Sequence, residues 1–350
     1  MRPEIIMCNY YGMCDTNGEA IGHTVKVTNE YSELLKEKYA VKLAASPCIV
    51  KKSNTHNFIE TKKLKYDISV EGNSFLKRIF DKIKLLSNIS QILHKEGIYF
   101  FYQVDFFFFF YIRFFYPVKK SRKIICLIYH QDFTGGKLSN ILQKTYKSAL
   151  KKIDGIIYTQ NGNPITHPHT VWIPDFFYSD EQYGEYKKLE KKRRVVCVGT
   201  MNRYKQLEEL INVFARIDIP LIIAGRFDDK QRFKKLLDCK TGNIQIRDNI
   251  LSYEEYMELI ATSQYSILPY NMEQYVNRTS GVLLESIYVG SIPVAPKELL
   301  SQNMLPGIGY IEMTDLMDKH IWEINNTDMF DKICKMNDKN NFIEFMSKWV

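Results

Sequence analysis

The chain has 350 residues, 45% of them hydrophobic and 13% aromatic, with a formal net charge of +8. This is too apolar for a disordered protein, suits two domains of ordinary size, and favours anionic partners such as nucleotide phosphates, acidic lipid head groups or nucleic acid. Seven cysteines without a CxxC pair read as buried thiols in a reducing compartment rather than disulfides or zinc ligands. The start "MRPEIIMCNYYG" has no long apolar run behind a basic residue, so no secretory signal is read and a cytoplasmic location is expected.

Along the chain, "EIIMCN" predicts a buried strand. A glycine-bearing loop follows, then "HTVKVTNEYSELLKEK", where Val27, Tyr31, Leu34 and Leu35 recur at helical spacing. "YAVKLAAS" reads as a strand, and the basic stretch "SFLKRIFDKIKLLSNISQILHKEG" as a helix stopping at Gly97. Next come a strand "IYFFYQV", the aromatic run "DFFFFFYIRFFYPVKKSRK" and a strand "KIICLIYH". Strands alternating with helices imply a parallel sheet covered on both faces. The aromatic run is too short to span a bilayer, which takes about 20 apolar residues. It sits where a covering helix belongs, with Asp105 at the start and Pro117 after the end. Its second aromatic face and the cations after it suggest contact with acidic lipid, through Lys119, Lys120, Arg122 and Lys123. The phenylalanines are contiguous rather than interleaved with Lys or Arg, which argues against nucleic acid.

The stretch "HPHTVWIPDFFYSDEQYGEYKKLEKK" reads as an interdomain crossing. His167 and His169 flank Pro168 within it, with no carboxylate cluster near in sequence, so they read as linker rather than metal ligands. The rhythm then restarts: strand "RRVVCVG", helix "QLEELINVFARI", strand "IPLIIAG", helix "DKQRFKKLLDC", strand "NIQIR", helix "SYEEYMELIATS", strand "YSILPY", helix "SGVLLESIYVG", strand "SIPVAP". The expected architecture is α/β, with residues 1–175 and 176–335 as two doubly wound Rossmann-like domains facing a cleft, and residues 336–350 as a helix packing back on the first.

The stretch Tyr270 to Pro296, "YNMEQYVNRTSGVLLESIYVGSIPVAP", resembles the donor-binding signature of GT-B fold glycosyltransferases of the group 1, family 4-like polysaccharide-biosynthesis type. "VGTMNRYKQLEELI" resembles that family's glycine-then-lysine element, "IGHTVKVTNEYSELL" its acceptor-side "GH" helix start at Gly22 and His23, and "LIYHQDF" the strand ending in its active-site histidine, here His130. The resemblance implies transfer of a sugar from a nucleoside-diphosphate donor (UDP-, GDP- or another) to a saccharide or lipid-linked acceptor in surface polysaccharide assembly. It leans toward a retaining mechanism.

The residues support a donor site on their own chemistry. Glu285, one turn into the helix that starts at Ser280, can accept two hydrogen bonds from ribose hydroxyls. The backbone N–H groups of Ser280, Gly281 and Val282 form an anion site. Lys205, with Arg203, Arg278 and Thr279 nearby and Gly199 at the strand end, supplies the cationic side of a diphosphate site. His130, at the C-terminal edge of an apolar strand, is placed to orient a sugar hydroxyl. Many retaining members of the family it resembles carry a Glu-x7-Glu pair; counted back from Glu285, the first position of that pair is here Asn277, a neutral amide. No Asp-x-Asp motif is present, so neither a metal nor a cofactor is expected. A non-catalytic nucleotide-sugar binding partner of a polysaccharide complex is the alternative, since such a protein would tolerate Asn277.

Overall fold

The structure is a computed structural model that describes residues 2–15, 17–20, 24–69, 75–129, 139–159, 165–173, 177, 180–273, 275, 280–323, 331 and 339–349. The chain divides into two compact units. The first comprises Met1–Thr159, Pro164–Ile173 and Lys339–Val350, and the second Gln160–Asn163 and Pro174–Asp338.

In the first unit the elements are β1 (Glu4–Asn9), β2 (Met13–Cys14), α1 (Thr24–Lys36), β3 (Ala40–Ala45), α2 (Pro47–Lys52), β4 (Glu60–Lys63), β5 (Ile68–Ser69), α3 (Phe75–Ile92), β6 (Gly97–Phe101), α4 (Phe106–Phe114), β7 (Arg122–Ile128), α5 (Ser139–Leu150), β8 (Gly155–Tyr158) and β9 (Thr170–Trp172). Seven strands form one sheet in the order β4-β3-β1-β6-β7-β8-β9, all neighbours parallel, while β2 pairs with β5. Side chains of adjacent strand residues point to opposite faces. Phe101 accordingly joins Cys8, Tyr10, Leu85, Ile89, Phe108, Phe109 and Ile112 in one core. Phe100 points the other way, 5.3 Å from Tyr31 of α1 and 5.6 Å from Phe342 of the C-terminal helix Lys339–Ser347.

The aromatic run is a helix, as expected, and much of it is core. Asp105 caps α4 by accepting from the backbone N–H of Phe107 at 2.9 Å and Phe108 at 3.1 Å, and the Tyr10 hydroxyl donates to the same carboxylate at 2.7 Å. Phe108, Phe109 and Ile112 are wholly buried. No described helix is long and apolar enough to cross a membrane. The basic cluster behind the run is not a uniform patch. Arg122 is buried and donates to the His94 carbonyl at 3.0 Å, and Lys123 pairs with Asp154 at 3.0 Å, which leaves Lys119 and Lys120 exposed. This corrects the expectation that all four cations face a lipid surface, because two of them anchor the start of β7.

The crossing segment also holds regular structure. Thr170–Trp172 is the edge strand β9, and α6 (Asp180–Lys187) follows. His167 has Nε2 3.1 Å from the Ile153 carbonyl and Nδ1 3.1 Å from the His169 carbonyl, so its ring ties loops together.

After α6 the second unit continues with β10 (Lys192–Val198), α7 (Leu207–Phe214), β11 (Leu221–Gly225), α8 (Lys230–Cys239), β12 (Ile244–Asp248), α9 (Tyr253–Ala261), β13 (Ser263–Ile267), α10 (Gly281–Tyr288), β14 (Ile292–Pro296), α11 (Lys297–Asn303) and β15 (Ile308–Tyr310). Its sheet is all parallel in the order β12-β11-β10-β13-β14-β15. The winding reverses between β1 and β6 in the first sheet and between β10 and β13 in the second. Open α/β sheets bind ligands at such reversals, beyond the carboxyl ends of the strands.

Candidate functional site

At the reversal of the second sheet, Gly199 (φ +95°) directly follows β10 and Gly225 (φ +150°) ends β11, both left-handed-region values that favour glycine. The two backbones nearly touch: a Cβ on Gly225 would lie 1.8 Å from the Gly199 carbonyl oxygen. This close passage sends the chain out of β10 into the loop that carries Lys205.

Lys205 is 4% exposed, and its ammonium donates to the Val198 carbonyl at 2.7 Å, with Met201 Sδ at 3.8 Å. Among the described residues no carboxylate pairs with it. A buried cation served by neutral partners is costly, so the position is electrostatically suited to an incoming anion. The loop is held from two sides. Gln206 N–H donates to the Pro269 carbonyl at 2.7 Å and Asn271 N–H to the Tyr204 carbonyl at 2.8 Å. Arg232 of α8 donates to the carbonyls of Asn202 at 2.9 Å and Lys205 at 2.7 Å, and pairs with Glu208. Nothing in the sequence pattern singled out Arg232; its role depends on α8 lying beside the loop.

Tyr270, just past β13, connects the lysine to α10. Its ring centre is 5.9 Å from the Lys205 ammonium, and its hydroxyl is 3.5 Å from Ser280 Oγ. Ser280 is the N-cap of α10 with extended dihedrals, and its side chain does not cap the helix. The first N–H groups of α10, from Gly281 and Val282, are the ends of a helix dipole that favours anions. The ring of Tyr275 stacks on Tyr270 at 3.9 Å and 4°, which stiffens this wall.

Glu285 differs from its expected state. It is on α10 as predicted, but it is wholly buried rather than open to a ligand, and the Tyr256 hydroxyl of α9 donates to it at 2.5 Å. Burial and the neighbouring carboxylate push the Tyr256 phenol well above its ordinary value. The carboxylate therefore has a dedicated protein donor that the sequence reading missed, because the partner lies 29 residues upstream on another helix.

Arg203 is exposed, with its guanidinium 5.2 Å over the ring of Tyr204. Structure thus brings Gly199, Lys205, Ser280, Gly281, Val282 and Glu285 into one neighbourhood and leaves Arg203 at its outer edge. Gly22, His23, His130, Asn277, Arg278 and Thr279 lie outside the described residues.

At the reversal of the first sheet, Asn9 at the end of β1 donates to Gln103 Oε1 at 3.0 Å, and Thr24 at the start of α1 donates to the same oxygen at 3.1 Å. This polar trio was not singled out from sequence, since one amide in "IYFFYQV" carries no motif. Among the described residues no group of three or more His, Cys, Asp or Glu is placed to hold a metal ion.

No known protein-family model matches the chain, and no curated protein is similar to it in sequence. Solved structures do share its fold. The Candida albicans trehalose-6-phosphate phosphatase N-terminal domain superposes with a TM-score of 0.65 at 10% identity, covering 100% of this chain and 97% of that one. An α,α-trehalose-phosphate synthase (UDP-forming) from Burkholderia xenovorans, in complex with glucose-6-phosphate, superposes with a TM-score of 0.64 at 7% identity over 100% of both chains. Anabaena HepE in complex with UDP and glucose gives a TM-score of 0.56 at 13% identity, covering 99% of this chain and 95% of that one. The fold is that of the GT-B glycosyltransferases, with two Rossmann-like units.

Proposed function

We propose that this GT-B chain is a glycosyltransferase that moves a sugar from a nucleoside-diphosphate sugar to a saccharide or lipid-linked acceptor, in cytoplasmic assembly of a surface polysaccharide. The observation that carries the reading is the buried Lys205 ammonium, bonded to a neutral carbonyl at 2.7 Å, across one tyrosine from the N-terminus of α10. Two structural neighbours, one a UDP-forming synthase and the other bound to UDP and glucose, support a nucleotide-sugar donor.

In this reading the bond from the sugar to the diphosphate breaks as positive charge grows on the ring. Lys205 and the α10 N–H groups stabilise the departing diphosphate, an electrostatic contribution already oriented before the reaction. Arg203, Arg278 and Thr279 add contacts at the phosphate edge, with Gly199 allowing close backbone approach. Glu285, oriented by Tyr256, takes the ribose hydroxyls once the donor replaces the groups that cover it. His130 orients a sugar hydroxyl near the reacting carbon, Asn277 hydrogen-bonds the donor sugar, and Gly22 with His23 lies on the acceptor side. The transfer proceeds with retention and without a divalent ion or cofactor.

The test is calorimetric titration with a panel of nucleoside diphosphates, followed by assay of donor hydrolysis and transfer in the presence of a chelator. One nucleotide should bind well above the others, and Lys205→Ala should lower kcat more than it weakens donor binding, because charge on the diphosphate grows toward the transition state. Absence of binding by every nucleotide would sink the proposal. Asn277 in place of a carboxylate favours a second reading, a nucleotide-sugar binding partner without catalysis; tight donor binding with neither hydrolysis nor transfer would establish it.

A further inference from the structure

Helix α3 is apolar on two opposite sides. Leu85, Ile89 and Ile92 belong to the core, while Leu76, Ile79, Phe80 and Ile83, spaced i, i+3, i+4 and i+7, lie on the other side at 66%, 43%, 60% and 56% exposure. One apolar stripe suffices to seat a helix on a sheet, so the outer stripe is not explained by the fold. Cations border it on both flanks: Lys77 and Lys84 along one side, each paired with Asp81 at 2.9 and 3.5 Å, and Lys82 along the other.

The stripe continues onto α4. The Lys82 ammonium lies 4.2 Å over the Phe107 ring, and on the same outer side Phe110 meets Phe114 at 4.8 Å and Phe115 at 5.9 Å. Phe114, Phe115 and Val118 are 54%, 58% and 66% exposed, and exposed Lys119 and Lys120 follow directly. Contiguous exposed apolar surface of this kind marks an interaction site.

We propose that the outer stripe of α3 and the adjoining ring ladder of α4 dock this chain on a membrane surface bearing anionic head groups. Charge identifies the occupant. A second copy would bring its own lysine rim against this one and be repelled, whereas acidic head groups neutralise the rim. A helix with an apolar stripe bordered by Lys and Arg lies in the interface plane, its apolar side sunk to the acyl boundary and its cations at head-group level. The aromatic run thus divides its labour: Phe108 and Phe109 build the core, and Phe114 and Phe115 extend the docking face.

The test is co-sedimentation with vesicles of phosphatidylcholine alone and of phosphatidylcholine with phosphatidylglycerol. It involves no nucleotide sugar, so its failure leaves the transferase reading standing. The protein should pellet with the anionic vesicles at low salt and be released by high salt. Substituting Lys82, Lys119 and Lys120 by Gln should weaken binding roughly 100-fold, from about 1 kcal/mol per cation near such a surface. Ile79→Ser with Phe80→Ser and Ile83→Ser should weaken it without altering the circular dichroism, since all three side chains are exposed. Exposed Lys234 and Lys235 of α8, changed to Gln, should leave binding intact. Wild-type protein that stays in solution with anionic vesicles, or a rim variant that binds as well as the α8 control, overturns the proposal. So does a concentration-dependent dimer that the serine variant abolishes while vesicle binding persists.

Discussion

Glu285 shows how a single buried carboxylate can be both a fold element and a candidate ligand. With Tyr256 donating at 2.5 Å it is satisfied inside the protein, so removing the phenol oxygen leaves a buried charge short of a partner. Tyr256→Phe should therefore lower stability by about 1.5–3 kcal/mol, the worth of a hydrogen bond to a charged group, and also raise the donor KM. Melting and donor titration check both; a loss of stability with unchanged KM would confine the pair to a structural role. The glycines at the strand ends make a second point. Gly225→Ala adds a Cβ that cannot fit against the Gly199 carbonyl, and the required φ alone costs an L-residue about 1–3 kcal/mol. The variant should melt earlier, and the Lys205 loop it displaces should bind nucleotide more weakly.

At the scale of elements, the second sheet's covering helices share a cap. Lys191, just before β10, donates to the carbonyls of Ala261 and Val289, which close α9 and α10, the latter at 2.6 Å. A cation at helix C-termini is favourable, yet burial pulls the Lys191 ammonium down to about 8. Its folded value lies below that of the unfolded chain, so between about 8 and the unfolded lysine value the unfolded state binds more protons, and stability gains from this group as pH rises. Comparing urea midpoints of wild type and Lys191→Met across that window should show the wild type gaining relative to the variant. A flat difference would mean the two carbonyls offset the burial.

Across the whole molecule, the chain's end completes its beginning. Phe342 of the C-terminal helix is fully buried, 4.9 Å from Tyr31 and 5.6 Å from Phe100, and Trp349 closes over Gly155. Phe342→Ala should destabilise the first unit by about 3–5 kcal/mol, the usual cost of an emptied aromatic site. Proteolysis under native conditions should then cut first within residues 2–159 rather than in the second unit. Cleavage that starts in the second unit would contradict this placement.

Strand and helix identity was legible in the sequence wherever local pattern suffices. Continuous apolar runs such as "EIIMCN" and "RRVVCVG" became central parallel strands, because a sheet covered on both faces needs no polar side. Asp105 marked the start of α4 because an N-cap is a local hydrogen bond. The helix after Ser280 was readable from its apolar pattern, whereas the glycine-then-lysine element was read by its resemblance to a family pattern. Polar edge strands escaped: Glu60–Lys63 in "ETKK" is held to β3 by its backbone ladder and by the Glu60 pair with Lys42 at 3.2 Å, and no apolar pattern announces that. Partners distant in sequence escaped as well. Tyr256 reaches Glu285, Arg232 reaches the Lys205 loop, Arg122 reaches the His94 carbonyl and Lys123 pairs with Asp154, and only the tertiary arrangement of helices and neighbouring strands brings each pair together. The same packing decided which phenylalanines are core and which are surface. A helical run that is aromatic all round has no preferred face until a sheet covers one side and water is left with the other.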